Sequence, residues 1–297
     1  MDPHLLRTFV TVVRLGSFSA AAAELRYTQA AVSQQIAALE ADLKVTLLNR
    51  RPVTPTEAGI RLLEHADPIL LRLEAARADL TRMTQTPAAT LVIGITPLAW
   101  ASIGAPTGGV AVALAVLRQQ MPRIDVTVRL DSRSSVATGV ARGELDIGLV
   151  DGLAAPGDSL PLRVSAPLSA VGIAEAEVGV VMPKDHPLAS RAEIRLADLL
   201  DARWIDAPDV AAPLSDIRRV AGTDGFRTVL RYEGTDILSL IALAAAGHGL
   251  TLVPTSLAKA GECVAVRVGE PRIVHRVELI HGTLRDGSPA AVLASLL

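Results

Sequence analysis

The first 42 residues contain three short stretches that are predicted as helices, each followed by a turn. This arrangement restricts the folds that this part of the chain can adopt. Apolar residues at helical spacing give the first stretch, residues 4–14, one face to bury. Gly16 ends this helix, and Ser17 or Ser19 can cap a second, alanine-rich helix by accepting from a free backbone N–H. Thr28 can cap a third helix over residues 29–42, whose apolar stripe is Val32, Ile36, Leu39 and Leu43.

A long fourth helix is predicted after an irregular stretch, residues 44–53. Residues 54–57 fit a capping box, in which Thr54 is the cap, Pro55 takes the first helical position and Glu57 reaches back. Pro68 should kink this helix or restart it. Apolar positions along it alternate between spacings of four and three residues, namely Leu62, Ala66, Ile69, Leu73, Ala76 and Leu80.

Two interpretations of this heptad seam remain open. The helix can pack on its own domain, or the seam can meet the same helix of a second chain, as heptad repeats do in coiled coils. Because residues 1–56 already form a small closed unit, we favour the second interpretation and predict dimerisation through the seam.

Beyond a short polar hinge, residues 85–90, strands and helices alternate. Strands are predicted over residues 91–96, 124–130, 145–150, 177–182 and 277–281, and helices over residues 110–120, 135–142 and 237–246. This alternation predicts an α/β fold with parallel sheets, in which ligands bind at the carboxyl ends of the strands. Two long uncharged segments, residues 91–117 and 237–258, contain glycines and prolines, so we interpret them as core and not as membrane spans.

Composition narrows the function classes. The formal net charge is −2, which does not exclude a nucleic acid as partner, because only one small domain need be basic. Cys263 is the one cysteine, which rules out a disulfide within the chain and favours a buried thiol. The first apolar run is broken by Arg7 and does not look like a secretion signal, so we expect a cytoplasmic protein. Nucleophile-elbow, phosphate-loop, dinucleotide and zinc motifs are missing, and we expect no catalytic site, metal or cofactor.

The first sixty residues resemble the DNA-binding domain of the LysR-type transcriptional regulators. The matching residues are Leu6, Phe9, Gly16, Ser17, Phe18, Ser19, Ala21, Ala22, Leu25, the run 28–36, Leu39, Glu40, Leu43, Leu47, Leu48, Arg50 and the run 56–59. Later runs, residues 143–150, 185–189 and 246–250 with Val253 and Pro254, resemble the sensor domain of the same family. The resemblance implies a winged helix-turn-helix, a long linker helix and two α/β subdomains of the periplasmic-binding-protein type.

The chain departs from the family pattern at four positions. Ala30 replaces a frequent Pro, Gln34 an Arg, Lys44 a Gly and Leu48 a Phe. The change at Gln34 bears on function, because arginine pairs with guanine whereas glutamine suits adenine. Operator preferences of relatives therefore do not transfer directly to this chain.

The resemblance assigns DNA reading to the third helix, which enters the major groove with its first turns. Gln29 and Ser33 lie four apart on one face, and free N–H groups at the helix start can bind a phosphate. The residues expected at DNA are Thr28, Gln29, Ala30, Ser33, Gln34 and Gln35 on the helix, with Arg50 and Arg51 in the wing.

The resemblance also places a small-molecule effector in the cleft between the two subdomains. The chain would cross from the first subdomain near Arg163 and return near Val274. Residues at matching positions are Thr96, Pro97, Leu98, Ser132, Ser134, Ile205, Asp206 and Thr235. Their hydroxyls and nearby N–H groups favour an anionic or polar ligand, while helix capping explains Thr96 and Ser132 equally well. Trp204 is interpreted as a core residue and not as a stacking platform.

These expectations give a domain plan and a set of partners. Residues 1–58 form the winged helix-turn-helix, 59–90 the linker helix and hinge, and 91–297 the effector-binding domain, with 91–163 and 274–297 as the first subdomain and 164–273 as the second. The implied function is regulation of transcription, with double-stranded DNA, an effector, a second copy in a dimer or tetramer and RNA polymerase as partners, and no membrane. Two alternatives remain: a replication-inhibiting or nucleoid-binding role, and a solute-binding receptor.

Overall fold

The computed structural model describes residues 1–84, 89–103, 109–162, 168–258 and 263–297. The chain divides into two compact units, residues 1–83 and 84–297. No helix in the described ranges is both long enough and apolar enough to cross a membrane.

The first unit contains four helices and a two-stranded hairpin. Its elements are α1 (Pro3–Leu15), α2 (Phe18–Leu25), α3 (Gln29–Leu43), β1 (Leu48–Arg50), β2 (Val53–Pro55) and α4 (Glu57–Thr84). Side-chain oxygens of Asp2, Ser17 and Thr28 accept backbone hydrogen bonds at the starts of α1, α2 and α3. Ser17 and Thr28 were predicted as caps, and the structure confirms both.

The core of this unit joins all three short helices to the hairpin. Phe9 and Val12 of α1 meet Val32 and Ile36 of α3, and each of these side chains is fully buried. Leu48 of β1 completes the cluster, so the substitution of the family's phenylalanine still fills the core. Burying such a side chain stabilises a fold by about 1.5–3 kcal/mol, so this cluster holds the helix arrangement in place.

The start of α4 differs from the capping box that we predicted. Thr54 and Pro55 belong to β2, where Thr54 faces Asn49 across the hairpin, so the prediction for these two residues is wrong. The cap is Thr56, whose hydroxyl accepts from the N–H of Gly59 at 3.1 Å and donates to the carbonyl of Thr46 at 2.8 Å. Strand pairing of β2 extends to Pro55 and thereby delays the helix start. The helix then runs without interruption through Pro68, which starts no second helix.

The second unit alternates strands and helices as predicted, with further short strands. Its first part contains β3 (Thr90–Ile95), α5 (Pro97–Ile103), α6 (Val110–Gln120), β4 (Asp125–Leu130), α7 (Arg133–Arg142), β5 (Ile147–Ala154) and β6 (Ser169–Pro183). Its second part contains β7 (Glu193–Arg195), β8 (Arg203–Asp206), α8 (Leu214–Ala221), β9 (Arg227–Arg231), α9 (Ile237–Ala245), β10 (Thr251–Pro254), β11 (Cys263–Glu270), β12 (Val274–His281) and α10 (Pro289–Leu296).

Strand β6 takes part in the sheets of both halves of this unit. In the first half, β4, β3 and β5 run parallel, and β12 pairs antiparallel with β5 and with Ser169–Glu177 of β6. From Val178 onward, β6 pairs instead with β10 and β11 of the second half. The strand therefore changes partners between Glu177 and Val178. Arg163, where we predicted the crossing, lies outside the described residues, and β12 begins at Val274, the predicted point of return.

Each half of the second unit has its own core. In the first half, Leu91, Ile93, Ile95 and Leu149 are buried with residues of α6, β12 and α10. In the second half, Trp204 is fully buried, its ring lies edge-on to Phe226 at 5.3 Å between centroids, and its N–H donates to the carbonyl of Leu199 at 3.1 Å. Trp204 is therefore a core residue, as the sequence indicated. Cys263 is buried as well.

Candidate functional site

The start of α3 presents an exposed polar surface. Thr28, Gln29, Ala30 and Gln34 are exposed, and Ser33 is half-buried one turn after Gln29. The opposite side of the same helix carries fully buried side chains that face the core of the unit, namely Val32, Ile36 and Leu39. The helix is thus anchored by one face, and its first turns remain open to a ligand.

Two of the predicted DNA-reading residues are partly engaged within the unit. The Thr28 hydroxyl accepts from the N–H of Ala31 at 3.2 Å, so Thr28 caps α3. The side-chain oxygen of Gln35 accepts from the Thr8 hydroxyl at 2.6 Å, which ties α3 to α1. Gln35 is thus partly engaged within the unit, whereas Gln29 and Gln34 are exposed and form no side-chain hydrogen bond with any described residue.

The hairpin β1–β2 forms the wing, and Glu40 of α3 fixes its position. One oxygen of Glu40 accepts from the N–H groups of Leu47 and Leu48, at 2.8 and 3.2 Å. The other oxygen lies 3.4 Å from the guanidinium of Arg50, which also stacks over the ring of Phe18 at 5.0 Å. Arg51 is exposed and forms no ion pair with any described residue. Of the two wing arginines, Arg50 is held by the fold and Arg51 keeps its charge available.

The predicted seam of α4 divides into a buried and an exposed part. Leu62 packs against the core of the first unit, and Ala66 is fully buried. Further along, Leu73 is half-buried and Ala76 is exposed, while Ile69 and Leu80 are 40% and 63% exposed. The first turn of the seam therefore serves its own unit, and the remaining positions offer apolar surface.

A small cleft lies between the two halves of the second unit. Two of the eight predicted effector residues, Thr96 and Pro97, line it. The lining also includes Arg133 and Asp151 from the first half and the turn at residues 208–212 from the second half. Thr96 follows β3, and Asp151 lies within β5, near the carboxyl ends of parallel strands, where α/β sheets bind ligands.

The other predicted effector residues do not line the cleft, and all of them except Thr235 have structural partners. Leu98 and Ile205 are buried in one hydrophobic cluster. The Ser132 hydroxyl caps α7 by accepting from Ser135 N at 3.3 Å and lies 3.1 Å from the hydroxyl of Ser134. The carboxylate of Asp206 accepts from Leu214 N at 3.1 Å at the start of α8, and Thr235 is exposed in the bend before α9.

Sequence reasoning missed the charged residues of the cleft, Arg133, Asp151 and Asp209. Arg133 stands between Ser132 and Ser134, so it belongs to a segment that the sequence analysis singled out. Asp151 lies within β5, beyond the predicted end of that strand at residue 150, and a charge at the end of a buried strand was the available signal. Nothing in the local pattern distinguishes Asp209.

Asp151 is the centre of a buried polar cluster beneath the cleft. The Thr96 hydroxyl donates to one of its carboxylate oxygens, and the ring Nε2 of His275 lies 3.0 Å from the other. The second ring nitrogen of His275 lies 3.5 Å from the hydroxyl of Ser102. Burial raises the pKa of Asp151. The hydrogen bond and charge of His275, the Thr96 hydroxyl and the charge of Arg133 together lower it by more, so the pKa falls below its ordinary value. Asp151 is therefore an ionised carboxylate.

Arg133 connects the two halves across the cleft. Its Nη2 pairs with the carboxylate of Asp216 on α8. Its Nη1 is buried without a hydrogen-bond partner and lies against Gly152, where a Cβ atom would come within 2.4 Å. Arg219 of α8 approaches the first half as well, with its Nη2 3.5 Å from the carbonyl of Leu153. In the described part of the chain, no three or more His, Cys, Asp or Glu side chains converge as metal ligands would.

Comparisons with known proteins match both units. The family described as "Bacterial regulatory helix-turn-helix protein, lysR family" matches residues 3–60, and the "LysR substrate binding domain" matches residues 84–293. Both families are those of transcriptional regulators and not of enzymes, which confirms that part of the sequence-based expectation.

Relatives and a solved structure agree with this assignment. The uncharacterized HTH-type transcriptional regulator YnfL of Escherichia coli (strain K12) is 31% identical over 294 residues, which are 96% of this chain and 94% of that protein. A probable RuBisCO transcriptional regulator of Emiliania huxleyi is 31% identical over 202 residues, 67% of this chain and 60% of that protein. The structure of full-length CbnR complexed with its target DNA superimposes with a TM-score of 0.52 at 20% identity, over 99% of this chain and 98% of that chain. The predicted fold class is confirmed, and the chain belongs to the LysR family of transcriptional regulators, with a helix-turn-helix DNA-binding domain followed by an effector-binding domain.

Proposed function

We propose that this regulator reads its operator with the first turns of α3 and that an effector in the cleft of the second unit controls how it does so. In this proposal, residues 1–58 bind DNA, 59–90 link and dimerise, and 91–297 bind the effector, with 91–163 and 274–297 forming one subdomain and 164–273 the other. The single observation that carries it is the exposed polar start of α3, set on a helix whose opposite face is buried in the core.

Base reading is assigned to Gln29, Ser33 and Gln34. Amides and hydroxyls both donate and accept, and a glutamine can bind the N6 and N7 groups of adenine in the major groove. Ala30 adds an apolar contact suited to a thymine methyl group. Thr28 with the start of α3 binds a phosphate. Gln35 contributes mainly through its amide nitrogen, because its oxygen already accepts from Thr8.

Wing contacts divide between two arginines. Arg51 binds a phosphate, since its charge is not used by an ion pair among the described residues. Arg50 contributes less, because Glu40 and Phe18 already hold its guanidinium. Such contacts supply affinity but no sequence information.

Self-association follows from two sets of exposed apolar residues. On α4, Ile69, Leu73, Ala76 and Leu80 form the outer seam, whereas Leu62 and Ala66 support it from within the unit. In the second unit, the edge strand β4 exposes Val128 and Leu130 (50% for Leu130), and α9 exposes Leu238 (75%). A homodimer covers these surfaces and places two α3 helices on half-sites at least one helical turn apart. Pairing of dimers into a tetramer and contact with RNA polymerase belong to the same proposal, as does action in the cytoplasm.

The effector acts by changing the relation between the two subdomains. Thr96 and Pro97 line the cleft in this structure, together with Arg133 and Asp151. Leu98, Ser132, Ser134, Ile205, Asp206 and Thr235 support the segments around it or lie outside it. A ligand that contacts both halves favours one arrangement of them by its difference in affinity, and the dimer transmits that difference to the spacing of the DNA-reading helices.

The DNA-reading assignment is tested by operator binding of the full-length dimer. Gln29→Ala combined with Ser33→Ala removes base contacts, so specific affinity should fall to the level of random DNA while the dimer stays intact. Arg51→Ala is the matched comparison: it should weaken binding to specific and random DNA alike and lower the slope of log affinity against log salt by about one. Unchanged operator affinity of the double variant refutes the assignment. Genome-wide occupancy without preference for promoters supports a nucleoid-binding role instead.

A further inference from the structure

Three ionisable side chains line the cleft, and two of them are left for a ligand. Both carboxylate oxygens of Asp151 are engaged, one by Thr96 and the other by His275. The remaining charged groups are Arg133, from α7 of the first subdomain, and Asp209, from the turn that follows β8 in the second. They contribute opposite charges from opposite sides of the cleft.

Arg133 has a donor without an acceptor. Asp216 takes only Nη2, and Nη1 is buried without a hydrogen-bond partner. Buried polar atoms in folded proteins nearly always have partners, so an unpaired donor on a side chain that lines the cleft indicates that a ligand supplies the acceptor. A carboxylate suits this donor, because a hydrogen bond from a charged guanidinium to an anion is stronger than one to a neutral acceptor.

Asp209 sets the opposite requirement. Its carboxylate is half-buried in the turn at residues 208–210 and forms neither an ion pair nor a hydrogen bond with any described residue. A ligand that is only an anion would place its charge near this carboxylate and be repelled. A ligand with a cationic donor would instead find an acceptor there.

We propose that the effector is a small zwitterion, namely an amino acid with a short side chain, whose carboxylate binds Nη1 of Arg133 and whose ammonium group binds Asp209. This inference rests on the proposed effector function of the cleft. The side chains that line the cleft beside these charges are small and apolar, which favours a ligand with a short side chain; they are Pro97, Pro208, Val210, Ala211 and Ala212.

The assignment also says how binding is transmitted. The ligand carboxylate takes Nη1 of Arg133 while Asp216 keeps Nη2, so the guanidinium joins the ligand to α8 of the second subdomain. The ammonium group joins the ligand to Asp209 of that same subdomain. One small molecule therefore contacts α7 on one side and the segment from Asp209 to Asp216 on the other, and it favours the arrangement in which both contacts form together.

Calorimetric titration of the full-length protein tests the charge requirement. L-Alanine and L-lactate are the matched probes, since they differ only in an ammonium or hydroxyl group on the same carbon, and glycine, L-serine and β-alanine extend the series. We expect at least one amino acid of this set to bind at least tenfold more tightly than L-lactate. Asp209→Asn should lower the affinity for that amino acid by about tenfold to a hundredfold, the range of a charged hydrogen bond, and leave L-lactate binding no weaker than before. Asp201→Asn, an exposed position outside the cleft, is the control and should change neither.

Each alternative outcome has a definite meaning. L-Lactate binding as tightly as the amino acids, an equal effect of Asp209→Asn on both probes, or no binding by any amino acid of the set overturns the zwitterion assignment. If L-lactate or another simple carboxylate then binds and alters operator affinity, the effector role of the cleft stands with a different ligand class. If Arg133→Gln leaves the response of operator binding to every bound small molecule unchanged, the proposed effector site itself is wrong.

Discussion

Removal of His275 should destabilise the second unit strongly at neutral pH and much less at pH 5. In His275→Leu, the carboxylate of Asp151 loses the ring nitrogen at 3.0 Å and stays buried, with only Thr96 and the charge of Arg133 to stabilise it. A buried ion pair that loses one partner typically destabilises a protein by about 3–5 kcal/mol. The variant can avoid this only by protonating Asp151.

Protonation sets a ceiling on the loss, and the ceiling depends on pH. At pH 7, about three units above the ordinary carboxyl pKa of 3.8, proton uptake costs about 4 kcal/mol, and at pH 5 about 1.5 kcal/mol, at about 1.4 kcal/mol per unit. In the wild type the pKa of Asp151 is lowered, so its stabilisation is present above the ordinary pKa and is lost only as the pH falls through the lower, folded value. In the variant the pKa is raised, so the difference in stability from the wild type shrinks as the pH falls from 7 to 5.

Denaturant unfolding followed by tryptophan fluorescence measures this difference, because both tryptophans, Trp100 and Trp204, lie in the second unit. Adding Asp151→Leu to His275→Leu should recover most of the lost stability, since an apolar pair can replace a buried ion pair at little net cost. His281→Leu is the control on the same strand, because its ring bonds a backbone carbonyl and no carboxylate. A loss below about 1 kcal/mol at pH 7 would contradict the estimate for a buried ion pair, and an equal loss at pH 5 and pH 7 would contradict the pH-dependent ceiling.

Two further predictions concern the backbone and self-association. Lys44 ends α3 with a φ of 55°, and Gly16 ends α1 with a φ of 60°, so Lys44→Gly should stabilise the first unit and Gly16→Ala should destabilise it, each by about 0.5–1 kcal/mol after the change in unfolded-state entropy is subtracted. Unfolding of the first unit gives no tryptophan fluorescence change, so circular dichroism is used to measure the stability of both variants. If both variants change the stability in the same direction, the explanation is contradicted. Leu80→Glu should raise the dimer dissociation constant at least tenfold in analytical ultracentrifugation, whereas Leu62→Ala should mainly lower the stability of the unit by about 2 kcal/mol or more, because Leu62 packs within it. A Leu80→Glu dimer as tight as the wild type would reject the outer seam.

The three short helices of the first unit could be predicted from local signals. Caps at Ser17 and Thr28 and the stripe on α3 depend on residues within one or two turns, and each was found in the structure. The wrong start of α4 has the opposite cause, because strand pairing between Asn49 and Thr54 overrides a capping pattern that fits the local sequence equally well. Lys44, a departure from the family's glycine, lies in the backbone conformation that glycine adopts without strain.

The ligand cleft was predicted only in outline. Thr96 was recognisable because it follows a buried strand at the edge where α/β sheets bind ligands. Arg133 and Asp209 come from segments 76 positions apart in the chain, and their relation arises only when the second subdomain folds against the first. No periodicity or cap records such a relation. The length of β6 was underestimated for a similar reason, since its first nine residues are stabilised by pairing with β12, a strand from the end of the chain.

Strand β6 has a mechanical consequence for any motion that the effector causes. Its residues up to Glu177 are bonded into one sheet and those from Val178 into another, so we expect each portion to move with its own sheet. We expect bending at the peptide link between Glu177 and Val178 and at the connection from β11 to β12, residues 271–273. These two crossings define an axis, and we expect the two sheets to rotate about it and to resist sliding past each other. If effector binding speeds amide hydrogen exchange within the sheets and not at these two crossings, the axis of rotation lies elsewhere.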